Sequence, residues 1–232
     1  MNETIFWISL LVNFSGVIIS YKTFGKTGLY SWLVISTIVA NIEVIKCVDL
    51  FGMPLTLGNI AYGSIFLTCD VLNEIYGKKE AQKGVLMGFF ALVGFILLTQ
   101  IGLLFTPSAD DFAHEPMKVI FSLTPRVCLS SACAYLVSNT LDVHLYNFIK
   151  MKLPSDKLMW IRNNTSTIVS QCADTIIFTF LAFYNVFSLE TVIKLCFTTF
   201  IIKILIAVCD TPFLYIAKGI YKKGLSDTES PN

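Results

Sequence analysis

Charge is scarce in this chain. Only 14% of its 232 residues are Asp, Glu, Lys or Arg, where a soluble domain carries roughly 25%. The deficit comes from long apolar stretches, and the mean hydropathy is +0.70. With a net charge of +1 there is no basic or acidic field to attract a nucleic acid. Histidine is nearly absent, at two residues, which argues against a zinc site. The seven cysteines (Cys47, Cys69, Cys128, Cys133, Cys172, Cys196 and Cys209) are odd in number, form no CxxC and lie in apolar segments. They read as buried small hydrophobes, not as a disulfide framework or metal site. HExxH and GxSxG are also missing, so metalloprotease and serine hydrolase chemistry has no support. Gly25-Lys26-Thr27 resembles the end of a P-loop, but Ser20 stands where the earlier glycine is required. No nucleophile is set beside a base, so no enzyme is expected, and no cofactor is implied.

What the chain has instead is apolar runs of membrane length. A hydrocarbon core of ~30 Å takes about 20 mainly apolar residues per helix. Candidates are about Ile5–Tyr21, Tyr30–Val48, Thr56–Val71, Gly84–Leu104, Val119–Val143, Thr165–Phe187 and Thr191–Ile216, the third diluted by Gly58 and Gly63. Pro54 and Pro125 are placed near helix starts, where a missing amide donor matters least. Met1 to Thr4 carries no cation, and Lys22 and Lys26 follow the first apolar run, so that run reads as a retained helix, not a cleaved signal.

Lys and Arg alternate between the connections. They occur after the first run (Lys22, Lys26), the third (Lys78, Lys79, Lys83), the fifth (Lys150, Lys152, Lys157, Arg162) and in the tail (Lys218, Lys222, Lys223). The positive-inside rule then puts the N-terminus outside and the C-terminus in the cytoplasm. The expected fold is all-α: a bundle of six to seven transmembrane helices in a single domain over 1–225, with a disordered cytoplasmic tail at 226–232. Lipid is the expected surroundings, in the plasma membrane of a bacterium. A monomer and a homodimer both fit.

Against that background, ionisable residues within the spans mark function by default, because each costs at least ~2.5–3.5 kcal/mol to insert. The second span carries Asn41, Glu43 and Lys46, and the third ends in Asp70 and Glu74. The fifth has Arg126 and Asp142, the sixth Asn163, Ser170, Gln171 and Asp174, and the seventh Lys203 and Asp210. Asp70 and Glu74 share a helical face, as do Lys203 and Asp210 two turns apart. Glu43 and Lys46 can neutralise each other within one helix. Ion pairs that merely hold the bundle together are the structural alternative. Polar stripes on several helices favour a shared cavity. Asp174 and Lys203, in the middle of apolar spans, are the hardest to read as glue.

These residues fall in stretches that resemble one family, the queuosine precursor transporters, also grouped as vitamin uptake transporters. The stretches are Ala40-Asn41-Ile42-Glu43-Val44-Ile45-Lys46, Ile65 to Asp70 running into Glu74-Ile75-Tyr76-Gly77, Arg126, Leu141-Asp142-Val143-His144, Trp160 to Thr167, Gln171-Cys172-Ala173-Asp174-Thr175, Lys203, and Asp210-Thr211-Pro212. The likeness runs from about Tyr30 to Tyr221, which makes the first helix peripheral.

The resemblance implies import of a 7-deazaguanine base for queuosine in transfer RNA: 7-cyano-7-deazaguanine, its aminomethyl derivative or queuine. On that reading Asn41, Asp70, Asn163, Gln171, Asp174 and Lys203 bind substrate, Asp174 or Asp70 accepting the base's N–H and amino donors. Tyr62, Tyr76 or Phe66 is available to stack on the ring. Glu43, Lys46, Glu74, Arg126, Asp142 and Asp210 form gating or structural ion pairs. A stand-alone carrier, proton-coupled through its carboxylates, competes with two alternatives. One is a substrate-binding subunit of an ATP-driven importer, and the other a membrane protein that transports nothing.

Overall fold

The computed structural model describes residues 1–121, 125–186 and 188–229. It is an all-α membrane fold: α1 (Asn2–Glu43), a short hairpin of β1 (Cys47–Leu50) and β2 (Met53–Thr56), α2 (Gly58–Tyr76), α3 (Lys78–Leu103), α4 (His114–Phe121), α5 (Pro125–Lys152), a single 3-10 turn (Asp156–Leu158), α6 (Met159–Phe183) and α7 (Leu189–Glu229).

Among the described residues, four helices are long and apolar enough to cross a membrane: Asn2–Glu43, Lys78–Leu103, Asp156–Phe183 and Leu189–Gly224. Their outward faces are as greasy as their inward ones. Leu11, Phe90, Leu98 and Phe197 are all exposed, whereas a helix of a soluble protein turns a polar face to water. The interior, beside an apolar core, also buries charged and amide residues, among them Asp70, Asp142, Arg162, Asn163, Asp174 and Lys203.

Gly25 divides α1. Its backbone (φ 59°, ψ −137°) leaves the helical region, and a residue without Cβ reaches such angles at no steric cost. The two arms, 2–24 and 26–43, then fold back on each other. Ser20 Oγ donates to the Gly28 carbonyl at 2.7 Å, and Gly16 lies so close to Trp32 that a Cβ would strike its ring. The arms correspond to the first two apolar runs. The first arm buries Phe6, Leu10, Phe14, Val17 and Tyr21, with the Phe14 ring 5.2 Å from that of Phe213 on α7.

α2 is the central helix. Residues 63–74 are all buried, and α2 packs on α1, α3, α5 and α7. Gly63 lets α7 approach closely, since a Cβ there would strike the Ile206 side chain. Gly77 (φ 87°, ψ 171°) makes the turn from α2 into α3.

Several boundaries differ from those expected. The second span stops at Glu43, and Val48 belongs to β1. Pro54 lies in β2 instead of opening a helix, while Pro125 does open α5. The run 119–143 belongs to two helices, with residues 122–124 outside the described residues. α6 begins at Met159 and ends at Phe183; Phe187, the end of the expected span, lies outside the described residues. Helix α7 continues to Glu229, through most of the tail expected to be disordered; 230–232 lie outside the described residues. Cys69 is buried as expected, but Cys133 is exposed on the bundle surface.

Candidate functional site

One side of α6 carries Asn163, Thr167, Ser170 and Asp174, successively four, three and four residues apart, with Gln171 next to Ser170, and all are buried. Helical periodicity stacks such residues into a column. Along its length that column meets α2, α5 and α7.

At the upper level the Asp174 carboxylate pairs with the Lys203 ammonium of α7. The two residues are 4% and 6% exposed. Tyr62 of α2 donates its hydroxyl to Asp174 Oδ1 at 2.8 Å, and Ser138 of α5 donates to the same oxygen at 3.1 Å. Lys203 Nζ also sits 4.9 Å from the centre of the Tyr62 ring, within cation–π range. Tyr62 and Phe66 meet edge to face. Four helices thus converge on one carboxylate. Gln171, a turn below, is buried with its Oε1 unpartnered.

At the middle level Thr167 donates to Asp70 Oδ2 of α2 at 3.2 Å, and Ser170 donates to Asp142 Oδ1 of α5 at 3.3 Å. Lower still, Asn163 Nδ2 donates to Asp210 Oδ1 of α7 at 2.7 Å, and Asn164 reaches Thr211 at 2.8 Å. Pro212 follows inside α7, where the missing amide interrupts the helix ladder beside the column.

An ion network closes the lower end. Glu74, whose side chain is wholly buried, binds Arg162 at 2.9 Å, Lys150 at 3.0 Å, and Lys218. Tyr146 donates to it at 3.0 Å. Arg162 also donates to the Leu153 and Ser155 carbonyls, and Lys218 and Lys222 extend the network to Asp156. Residues from α2, α5, α6 and α7 are therefore tied to one carboxylate. Removing a single partner from such a network strands a buried charge.

Other expected members lie elsewhere. Asn41 sits near the end of α1, donating to the Thr37 carbonyl and accepting from Ser131. Glu43 ends α1, while Lys46 is exposed in the turn beyond it; the two share a backbone hydrogen bond and no ion pair. Among the described residues Arg126 makes no ion pair either: it is exposed and donates to the Leu181 and Tyr184 carbonyls at 2.6 Å, capping the end of α6. Tyr76 stacks edge to face with Tyr21 and Tyr221, away from the Asp174 level.

Sequence reasoning missed the hydroxyl partner Ser138, which no charge betrays, and the burial of Arg162, which counted there as a loop cation. Its place beside Asn163, on the column side of α6, was the available signal. In the sequence Lys150 and Lys218 likewise stand out only as markers of sidedness.

A sealed polar column inside a greasy bundle defines a multi-pass membrane transporter. Residues 56–217 match the family model described as "Putative vitamin uptake transporter". The chain belongs to this family. It is 42% identical over 214 residues to a protein of Bacillus subtilis (strain 168) named "Probable queuosine precursor transporter", covering 92% of this chain and 93% of that one. It is 25% identical over 218 residues to the "Queuosine precursor transporter" of Escherichia coli (strain K12), covering 91% and 94%. No solved structure matches the chain. It is accordingly a multi-pass protein of the bacterial cell membrane.

Proposed function

We propose that the chain imports a queuosine precursor, a 7-deazaguanine base, and that the Asp174–Lys203 pair is where the base is read. The observation that carries this is the convergence of Tyr62, Ser138 and Lys203 on the Asp174 carboxylate. The names of the Bacillus and Escherichia relatives supply the substrate class.

The chemistry is complementary. A deazaguanine edge offers a ring N–H and an amino group beside a carbonyl. Asp174, an acceptor only when ionised, takes the two donors, while the Lys203 ammonium or the Gln171 amide donates to the carbonyl. The Tyr62 ring offers a flat face to the base. Without substrate, Asp174 and Lys203 neutralise each other, so neither charge is stranded in the bundle. A base lacking the donor pair cannot replace those bonds, which is how a buried polar site rejects analogues.

The sidedness follows from the same residues. In this reading both arms of α1 span, as do α2, α3, α5, α6 and α7, with the N-terminus outside. Glu74, Arg162, Lys150 and Lys218 then face the cytoplasm, and Asp174 and Lys203 lie nearer the outside. The Glu74 network is the inner gate, closed in this conformation. Residues 1–225 act as one domain, to which the first arm of α1 adds packing but no polar group of the site.

Binding of 7-cyano-7-deazaguanine to the purified protein, followed by ligand-induced thermal stabilisation, tests the site. Asp174→Asn is expected to weaken binding about ten- to a hundredfold, the worth of a hydrogen bond to a charged group. Unchanged affinity in a folded variant contradicts the assignment.

A further inference from the structure

Three buried acids have no counter-charge. Asp70, Asp142 and Asp210 are 0%, 0% and 1% exposed. Among the described residues none of them makes an ion pair, whereas the buried acids above and below do: Asp174 with Lys203, and Glu74 with Arg162, Lys150 and Lys218. They follow one another along α6: Asp70 and Asp142 face each other across Thr167 and Ser170, three residues apart on that helix, and Asp210 is held one turn further along by Asn163.

The hydrogen-bond inventory around them is short of donors. One oxygen of each carboxyl is served, by Thr167, Ser170 and Asn163 respectively. The other oxygen of each, Asp70 Oδ1, Asp142 Oδ2 and Asp210 Oδ2, is buried without a donor. The Asn163 amide, wholly buried and already aimed at Asp210, adds a further orphan acceptor in its Oδ1. Acceptors crowded against acceptors repel, and ionised carboxylates offer nothing else. The other titratable groups facing the three are Cys69, Tyr146 and Cys209. The two buried cations of the column, Arg162 and Lys203, are committed to Glu74 and Asp174. No group of three acids among the described residues has the spacing of a metal site. What the cluster lacks is a donor small enough to enter a packed interior, and a proton is that donor.

We propose that Asp70, Asp142 and Asp210 form a proton-binding site, separate from the Asp174–Lys203 pair, that couples import of the base to inward movement of a proton. The coupling rests on the importer reading. A hydronium ion from the outer side transfers its proton to a carboxylate oxygen of Asp142 or Asp70, leaving water. The resulting O–H donates to the facing carboxylate, so one proton replaces a repulsion with a bond. On the inner side the same O–H returns its proton to water and the carboxylate is restored. Asp210 lies seven residues from Lys203 and eight from Lys218 on α7, about two turns from each. The site therefore lies between the substrate pair and the Glu74 network, where its charge state bears on both.

Two measurements test this. Infrared difference spectra of the purified protein between acid and alkaline buffer read the proton directly. A carboxylic-acid band that shifts in heavy water is expected in the wild type and in Asp174→Asn. It is expected to be lost or displaced in Asp70→Asn and in Asp142→Asn. A wild-type spectrum without such a band, or one unchanged in both variants, overturns the site. In proteoliposomes with radiolabelled 7-cyano-7-deazaguanine, an acid-outside gradient is expected to drive accumulation of about tenfold per pH unit, abolished by a proton ionophore. Asp142→Asn is expected to lose that accumulation. Exchange by the wild type without any response to the gradient overturns the coupling. If the wild type shows no exchange, the importer reading falls and the coupling with it, while the infrared band still decides whether the three acids bind a proton.

Discussion

Asp174 and Lys203 hold each other's charge in a setting where neither would be tolerated alone. Breaking a buried pair from one side costs about 3–5 kcal/mol, while replacing both partners with neutral groups is often nearly free. Asp174→Asn and Lys203→Met are therefore each expected to lower stability by that order, measured by unfolding in detergent, and the double variant to regain most of it. The double variant is nevertheless expected to bind no base, which separates a reading site from mere glue. These two residues were legible because a charge inside an apolar run has few innocent explanations. Tyr62 stood out only as an aromatic, and Ser138 not at all, since a hydroxyl costs little to bury and leaves no pattern. Arg162 was misread because a count of loop cations treats every cation near a helix end alike. Glu43 and Lys46 were misplaced for a related reason: the apolar run continues past the point where the backbone leaves the helix.

At the scale of elements, the apolar runs located the long helices but not their ends: α5 continues past Val143 to Lys152 and α7 past Ile216 to Glu229, because a helix does not stop where its apolar run does. The hairpin of β1 and β2 was not, since strands of four residues each are too short to show an alternating pattern. The turn at Gly77 joins two helices without a spare residue, at angles that favour glycine almost exclusively. Gly77→Ala is expected to cost about 1–3 kcal/mol, read as a lower unfolding midpoint of the purified protein. The Glu74 network makes a different prediction. Glu74→Gln removes the shared counter-charge of Arg162, Lys150 and Lys218 and should loosen the lower ends of α5, α6 and α7. Cys209, beside Asp210 on α7, is then expected to react severalfold faster with a thiol reagent applied from the cytoplasmic side. An unchanged rate argues that Glu74 is structural and not a gate.

For the whole molecule, the family could be read from the order and spacing of its polar stretches. The convergence of those stretches could not, because no sequence pattern says which face of α2 or α5 meets α6. The seven-span reading puts the two termini on opposite sides of the membrane. A fluorescent protein fused at the C-terminus is expected to mature and fluoresce, and a periplasmic reporter at the N-terminus to be active. The reverse pattern would put the Glu74 network on the outer side and contradict its role as the inner gate.

The most direct test of the central claim is import in a living cell. In a bacterial strain that makes no 7-deazaguanines and lacks its own importer, this chain would be expressed with nanomolar precursor in the medium. Queuosine in transfer RNA would be read by gel shift. Queuosine is expected to return with the wild type and not with Asp174→Asn. Membrane-inserted wild type that leaves transfer RNA unmodified with 7-cyano-7-deazaguanine, its aminomethyl derivative and queuine alike, while the Escherichia relative restores it, would contradict the account.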